Sequence, residues 1–361
     1  MTRIGDASAP ASVDYASADG TARERSDYLA TFGTLRFAAG ETSKTISVFI
    51  VDDSFGEGPK TFNVTLSNAI GCTLGSPATV VVTINSNESV NGPNPVKDAS
   101  FNSDFYVRQQ YTDFLNREAD ASGLAFWKNE IDSCGTNTAC SDVRKINVSA
   151  AFFLSIEFQQ TGYLVYKANQ AAFSSGEFLK LRNFLTDTQE IGRGVIFGQP
   201  GADVLLEANK QRFFTDFVQR SNFVDPAAYP PTLTAAQIVD KLNANTFDPR
   251  VPGSTGSLSQ AERDALVAQL APNPSSPTLR AQVLRSVSEN SLFAARQTNK
   301  AFVLMQYFGY LRRNPNDQPD SDLAGYNFWL GKLNQFNGNF VNAEMVKAFI
   351  SSIEYQQRFG P

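Results

Sequence analysis

The 361-residue sequence contains no histidine. This absence excludes imidazole acid–base catalysis, Ser-His and Cys-His nucleophile pairs, and histidine metal sites. The three cysteines are too few for a disulfide-rich scaffold. No apolar run approaches the roughly 18–20 residues that span a bilayer, and the longest, at 301–311, is typical of a buried helix. The remaining chemistry is that of carboxylates and of hard cations such as calcium.

The overall charge and composition describe an acidic globular protein. The net charge is −5 and the pI is near 5.0, which is the wrong sign for a nucleic-acid partner. Apolar residues make up 42% and charged residues 19%, so ordinary cores can form. The length allows two or three domains. Residues 1–11 show no secretory signal, and the sequence predicts no membrane span.

Residues 1–88 alternate between apolar and polar side chains with period two, and Gly, Pro and Asp interrupt the pattern. In one segment Ile46, Val48 and Ile50 fall on the same face. Short alternating segments separated by turn residues predict an all-β sandwich. The predicted strands are 12–18, 34–38, 44–52, 61–67 and 78–84.

Residues 89–104 are rich in Asn, Ser, Pro and Gly, and we predict a linker there. Beyond the linker the apolar period becomes 3.6, which predicts an all-α domain at 105–361. The predicted helices are 105–116, 122–132, 142–160, 204–220, 234–244, 259–270, 278–311, 322–335 and 341–358, with 278–311 forming either one helix or two.

The helical region repeats itself, with copies near 105–165 and 299–361. Four blocks agree in order: 106–111 with 302–307, 114–117 with 310–313, 120–127 with 322–329, and 155–160 with 352–357. Gly123 and Gly325 are expected to let two helices approach closely. Trp127 and Trp329, each together with the Phe that precedes it, are expected to bury their rings against the first helix of each copy.

Each copy carries one arginine and one glutamate at matching places. We predict two structural ion pairs, Arg117 with Glu157 and Arg313 with Glu354, that hold the third helix to the first turn. A catalytic role for the glutamates is the alternative. A carboxylate-only enzyme would need two facing carboxylates about 5–9 Å apart, and no such spacing is evident.

Cys134 and Cys140 lie six positions apart in a loop rich in Gly, Asn and Thr. Such a pair closes a small disulfide loop in an oxidising compartment, which agrees with export. Zinc is the alternative, but without histidine the only further soft ligand is Cys72, in the other domain. We therefore expect the disulfide.

Carboxylates gather in the loops of the β region, at Asp27, Asp52, Asp53 and Glu57, and Glu88 follows the last strand. Carboxylates on loops at one end of a sandwich are suitable ligands for calcium. The alternative is a purely structural sandwich whose acidic loops are solvated.

Residues 1–88 resemble a Calx-beta domain. The residues that carry the resemblance are Val13, Tyr15, Asp19, Gly20, Thr21, Ala22, Ser26, Tyr28, Gly33, Phe37, Gly40, Glu41, Ile50, Asp52, Asp53, Phe62, Leu66, Ser67, Leu74, Gly75, Val82 and Ile84. The resemblance implies an immunoglobulin-like sandwich and a calcium site at Asp27, Asp52, Asp53 and Glu57.

This sequence departs from the Calx-beta pattern at several places. Lys60 stands where a carboxylate is expected, and Ser86 and Asn87 replace acidic residues. The resemblance also implies a strand before Arg3, with a ligand glutamate, that this chain lacks. We therefore expect a fragment of a longer secreted protein, with an unpaired sheet edge. The alternative is that another segment takes the place of the missing strand.

The repeat resembles a bacterial family of domains of unknown function, the one numbered 4214. The matching residues are Tyr111, Leu115, Arg117, Asp120, Gly123, Phe126, Trp127, Ser155, Glu157 and Phe158. The resemblance implies a secreted or cell-surface protein and no particular activity. We expect a non-enzymatic module with a structural, adhesive or assembly role, whose partners are surface or extracellular proteins or glycans. Glycan binding by the helical domain is the alternative function.

Overall fold

The computed structural model describes residues 1–88, 90–97, 100–174, 178–248 and 255–360. An N-terminal antiparallel β-sheet is followed by a mostly helical region, as the sequence predicts. The chain divides into two compact units. Unit one comprises Met1–Leu154 and Met305–Pro361, and unit two comprises Ser155–Leu304.

The sheet of unit one has four antiparallel strands in the order β2-β1-β3-β4. Its outer strands are β2 and β4, so β1 and β3 are paired on both sides. The strands are β1 Ala11–Asp19, β2 Phe32–Phe37, β3 Lys60–Ile70 and β4 Thr79–Ile84. They match four of the five predicted strands.

Two apolar clusters cover one face of this sheet. One contains Val13, Tyr15, Leu35 and Phe37, with Ile46 packed against them. The other contains Ala22, Tyr28 and Phe62, with Val48 packed against them. The rings of Tyr28 and Phe62 stack with centroids 4.3 Å apart. Burying such side chains stabilises this end of the chain by roughly 1.5–3 kcal/mol each.

The predicted strand at 44–52 does not form, and the described residues provide no second sheet for the predicted sandwich. This segment is held at its ends by isolated bridges, Ser43 to Thr2 and Ile50 to Tyr28. Ile46 and Val48 still pack against the core, whereas Ile50 is 44% exposed. Alternation therefore identified part of the buried face, but within the described chain the segment pairs only near its ends and does not form a strand.

Unit one continues from the sheet into helices. Residues 94–96, inside the predicted linker, are buried, and Asn94 Nδ2 donates to the main-chain oxygens of Gln356 and Gly360. The helices of this unit are α1 Ser103–Leu115, α2 Ala121–Asp132, α3 Thr138–Leu154, a π-helical turn Tyr307–Leu311, α13 Ala324–Gln335, α14 Met345–Ile350, α15 Ile353–Gln356 and a 3-10 turn Gln357–Phe359.

Unit two is helical. Its elements are α4 Ile156–Gln160, α5 Gly162–Phe173, α6 Leu181–Gly192, α7 Ala202–Phe217, α8 Ser221–Val224, α9 Ala235–Asn245, α10 Gln260–Leu270 and α11 Pro277–Glu289, and α12 Ser291–Gln306 ends just beyond the unit boundary.

Several helix predictions were wrong. The segment 142–160 is broken at Ser155, whose side chain caps the next helix, and 341–358 is interrupted between Ile350 and Ile353. The segment 278–311 is divided at Asn290, which is one of the two alternatives that the sequence left open. Helix α5 was not predicted. Nearly all of its residues are buried, polar Lys167, Asn169 and Gln170 among them, so the order of polar and apolar residues does not mark a solvent face. Within the described residues, no helix is both long and apolar enough to cross a membrane.

Candidate functional site

The four predicted calcium ligands, Asp27, Asp52, Asp53 and Glu57, line one cavity of about 230 Å³ in unit one. Asp27 comes from the loop between β1 and β2, and the other three precede β3. Glu88, which follows β4 in the sequence, also lines the cavity. We call these five residues the acidic cluster.

Lys60, the first residue of β3, also lines the cavity. Its Nζ lies 2.8 Å from Oδ1 of Asp27 and donates as well to Glu57. The ammonium therefore supplies one positive charge among five carboxylates. This is the position at which the Calx-beta resemblance expects another carboxylate.

Asp27 is the most buried carboxylate of the acidic cluster, at 6% exposure. Its Oδ2 accepts a hydrogen bond from the backbone N–H of Arg23 at 2.6 Å. One oxygen thus fixes the loop, and the other faces Lys60.

Asp53 is half-buried, and its Oδ1 accepts from the backbone N–H of Phe55 at 2.8 Å. Burial raises the pKa of Asp53 to about 6, and the negative charges of Glu57, Asp27 and Glu88 act in the same direction. Asp53 therefore holds a proton under mildly acidic conditions.

The donor set suits a hard cation, because carboxylate oxygens are the ligands that calcium prefers. Lys60, however, already contacts two of these carboxylates. Within the described ranges, no three acidic or thiol side chains are close enough together to hold a metal ion. A calcium ion would therefore have to displace the Lys60 ammonium and draw the loops inward.

Arg313 and Glu354 form a bidentate pair, with nitrogen–oxygen distances of 2.6 and 2.9 Å. Arg313 also donates to Asp320 at 2.8 Å, and its side chain is only 3% exposed. Arg117 and Glu157 belong to different units, so that pair stays a prediction. The guanidinium of Arg117 lies 4.7 Å from the ring of Tyr111.

Trp127 and Trp329 are half-buried, with ring centroids 6.0 Å from Phe152 and 5.8 Å from Phe349. The prediction that the preceding phenylalanines are buried was wrong. Phe126 is 57% exposed and Phe328 is 61% exposed, because each ring packs edge-on against its own tryptophan and faces outward.

Gly123 and Gly325 each lie under a tyrosine hydroxyl. A Cβ at Gly123 would stand 2.0 Å from Tyr111 Oη, and one at Gly325 would stand 2.7 Å from Tyr307 Oη. Both distances are below van der Waals contact, so any side chain there requires a shift.

Cys134 and Cys140 are at disulfide distance, with their Cα atoms 5.6 Å apart, and Cys72 is free and exposed. The pair connects the end of α2 to the first turn of α3. The zinc alternative therefore has no thiolate pair to use in this structure.

A buried ion pair in unit one, Asp113 with Arg358, was not predicted from the sequence. The guanidinium donates to the two carboxylate oxygens at 2.8 and 3.0 Å, and its Nε donates to the main-chain oxygen of Arg25. Arg312 lies nearby, fully buried, and its Nε and Nη2 have no hydrogen-bond partner among the described residues. These residues are far apart in sequence and form no local pattern.

Residues 1–88 match the family model of the Calx-beta domain. Sodium/calcium exchanger 1 of Mus musculus is 41% identical over 103 residues, which cover 23% of this chain and 10% of the exchanger. Sodium/calcium exchanger 3 of Homo sapiens is 45% identical over 64 residues, covering 18% and 7%. The chain thus spans about a tenth or less of the length of the curated relatives it matches.

Among solved structures, the apo form of the Calx CBD1 domain is 32% identical to this chain. The match covers 24% of this chain and 78% of that one, with a TM-score of 0.24. The family match and the exchangers together support a Calx-beta domain at residues 1–88.

Proposed function

We propose that this chain is a non-enzymatic module of a bacterial secreted or cell-surface protein, and that its Calx-beta domain binds calcium at the acidic cluster. The observation that carries the proposal is the convergence of Asp27, Asp52, Asp53 and Glu57 on one cavity. The similar proteins are sodium/calcium exchangers by name, which favours calcium over other hard cations.

The bound calcium would be held by Asp27, Asp52, Asp53 and Glu57, with Glu88 as a further carboxylate that lines the cavity. The ion would supply positive charge that neutralises the repulsion among these carboxylates. Asp53 would lose its proton, and Lys60 would withdraw from Asp27. Because the ion must compete with this ammonium, we expect weaker binding than at an all-carboxylate site.

The helical region would serve as an interaction or assembly platform for other surface proteins. Both sequence copies carry an exposed phenylalanine beside a half-buried tryptophan, at Phe126 and Phe328. Matching contacts support a duplication: Tyr111 packs edge-on against Phe152, and Tyr307 packs edge-on against Phe349. The Cys134–Cys140 pair agrees with an oxidising, extracellular compartment.

Thermal unfolding of the full chain with calcium and with a chelator tests the proposal. A site filled at 100 times its dissociation constant adds about 2.7 kcal/mol to the free energy of unfolding. Asp52→Ala and Asp53→Ala should abolish this gain. Asp203→Ala, an exposed carboxylate on α7, is the matched control and should retain it. No calcium-dependent shift in the unsubstituted protein would refute the site.

Glycan binding is the second candidate function. It is favoured by a polar cavity in unit two, where three asparagines and three phenylalanines meet.

A further inference from the structure

Unit two contains a cavity of about 310 Å³ between the end of α5, the start of α6 and the turn that carries α8. This volume is at the small end of the roughly 300–1,000 Å³ typical of ligand pockets. Its polar lining residues are Asn169, Lys180, Asn183, Asn222 and the pair Asp187 and Arg220. It lies wholly within one unit and shares no residue with the acidic cluster.

Each of the three asparagines has side-chain hydrogen-bonding groups that make no bond within the described chain. Asn169 is only 8% exposed, and its one hydrogen bond within the described chain is a 3.5 Å contact in which Oδ1 accepts from Gln170, so both Nδ2 protons are uncommitted. Asn183 and Asn222 are exposed at the rim, and their side chains make no hydrogen bond to the described part of the chain.

Asp187 and Arg220 pair with each other in the cavity, and the third charged residue that lines it, Lys180, is exposed to solvent. Arg220 donates to both oxygens of Asp187, at 2.8 and 2.5 Å, and its guanidinium lies 4.7 Å from the ring of Phe217. Asp187 is 3% exposed. An ionic ligand would therefore find no unpaired buried charge among the described residues that line this cavity, whereas a neutral ligand would meet a fixed polar wall.

We propose that this cavity binds a neutral saccharide unit, with Asn169, Asn183 and Asn222 as the hydrogen-bonding groups. A side-chain amide both donates and accepts, which matches a sugar hydroxyl that does the same. Phe173, Phe178 and Phe217 supply apolar surface for the C–H faces of a sugar ring. The cavity volume suits a single sugar residue, either free or at the end of a glycan.

The test is calorimetric titration of the full chain, in the presence of a chelator, with glucose, galactose, mannose, N-acetylglucosamine and N-acetylgalactosamine. At least one sugar is expected to bind saturably. The double variant Asn183→Ala/Asn222→Ala should weaken that binding about tenfold, because two hydrogen bonds are lost. Both side chains are exposed, so the variant should fold, and a circular dichroism melt checks this.

Gln269→Ala is the matched control, since Gln269 carries the same amide group, is exposed on α10 and does not line the cavity. It should bind as the unsubstituted protein does. Absence of binding by all five sugars, or equal binding by the double variant, would overturn the inference. The inference rests on the proposed glycan recognition by the helical region. Because the titration is done without calcium, failure of the saccharide inference would leave the calcium proposal standing.

Discussion

Lys60 Nζ lies 2.8 Å from Asp27 Oδ1, inside a cavity that five carboxylates line. The side chain of Asp27 is 6% exposed and that of Lys60 is 24% exposed. The ammonium is therefore an internal cation that compensates part of the negative charge when no metal is bound. A carboxylate at this position would add to the repulsion.

Replacing Lys60 by Gln should make the Calx-beta domain more dependent on calcium. In chelator the free energy of unfolding is expected to fall by about 1–3 kcal/mol, because buried Asp27 loses its charged partner. Stabilisation by calcium should rise, since the ion no longer competes with an ammonium. Thermal unfolding in chelator and in calcium measures both effects.

Lys44→Gln is the control for that substitution. Lys44 pairs with Glu41 at 2.5 Å and lies outside the cavity of the acidic cluster. Removing this more exposed pair should cost less than about 1 kcal/mol and leave the response to calcium unchanged. Equal responses in the two variants would contradict a special role for Lys60.

Asp53 should impose an unusual pH dependence on stability. Burial raises its pKa from 3.8 to about 6 in the folded chain, so the folded state holds its proton more tightly than the unfolded state. The free energy of unfolding should therefore fall as the pH rises from about 4 to about 6. Because Asp53 is half-exposed, the loss is on the order of 1–2 kcal/mol after solvent screening.

Urea unfolding between pH 4 and pH 7 measures this loss. Asp53→Asn should remove the Asp53 contribution to the slope and raise the stability at pH 7. An unchanged slope in the variant would assign the pH dependence to other carboxylates.

Two adjacent arginines should respond oppositely to the same substitution. Arg313 is paired with Glu354 and Asp320, so Arg313→Met should lower the free energy of unfolding by about 2–4 kcal/mol. Arg312 is buried with two donors that find no partner in the described chain, so Arg312→Met should raise it by about 1–2 kcal/mol. Urea unfolding at neutral pH compares the two, and a loss of stability in both would refute the contrast.

Gly325→Ala should destabilise unit one by about 1–3 kcal/mol, because the new Cβ would stand 2.7 Å from Tyr307 Oη. Tyr307→Phe removes that oxygen and should rescue the variant, which a double-mutant cycle measures by urea unfolding. Gly331→Ala is the control on the same helix. Its Cβ would meet no atom within 4 Å, so it should be neutral or stabilise by up to about 1 kcal/mol.

The sequence predicted those parts of the fold that local patterns encode. Alternation located Val13, Tyr15, Leu35 and Phe37 on the covered face of the sheet. It could not show that the segment 44–52 lacks a strand partner in the described chain, because pairing depends on distant residues. Helix α5 was not predicted because polar Lys167, Asn169 and Gln170 are buried together with its apolar residues, so its sequence does not mark a solvent face.

Of the candidate sites, one could be predicted from the sequence and the others depend on distant residues that packing brings together. The resemblance to Calx-beta domains predicted a shared site for Asp27, Asp52, Asp53 and Glu57, and these four residues line one cavity. The Asp113–Arg358 pair joins positions 245 residues apart and has no local signature. The saccharide cavity depends on unsatisfied amides from separate helices, which only three-dimensional packing reveals.

The Cys134–Cys140 pair encloses five exposed residues, 135–139, which connect α2 to the first turn of α3. A protease that cleaved within 135–139 would leave both fragments covalently joined. The nicked chain would migrate at full size on a gel without reductant and separate into two bands once thiol is added. A sample that looks intact on a non-reducing gel could therefore already be cleaved, so its integrity should be judged under reducing conditions.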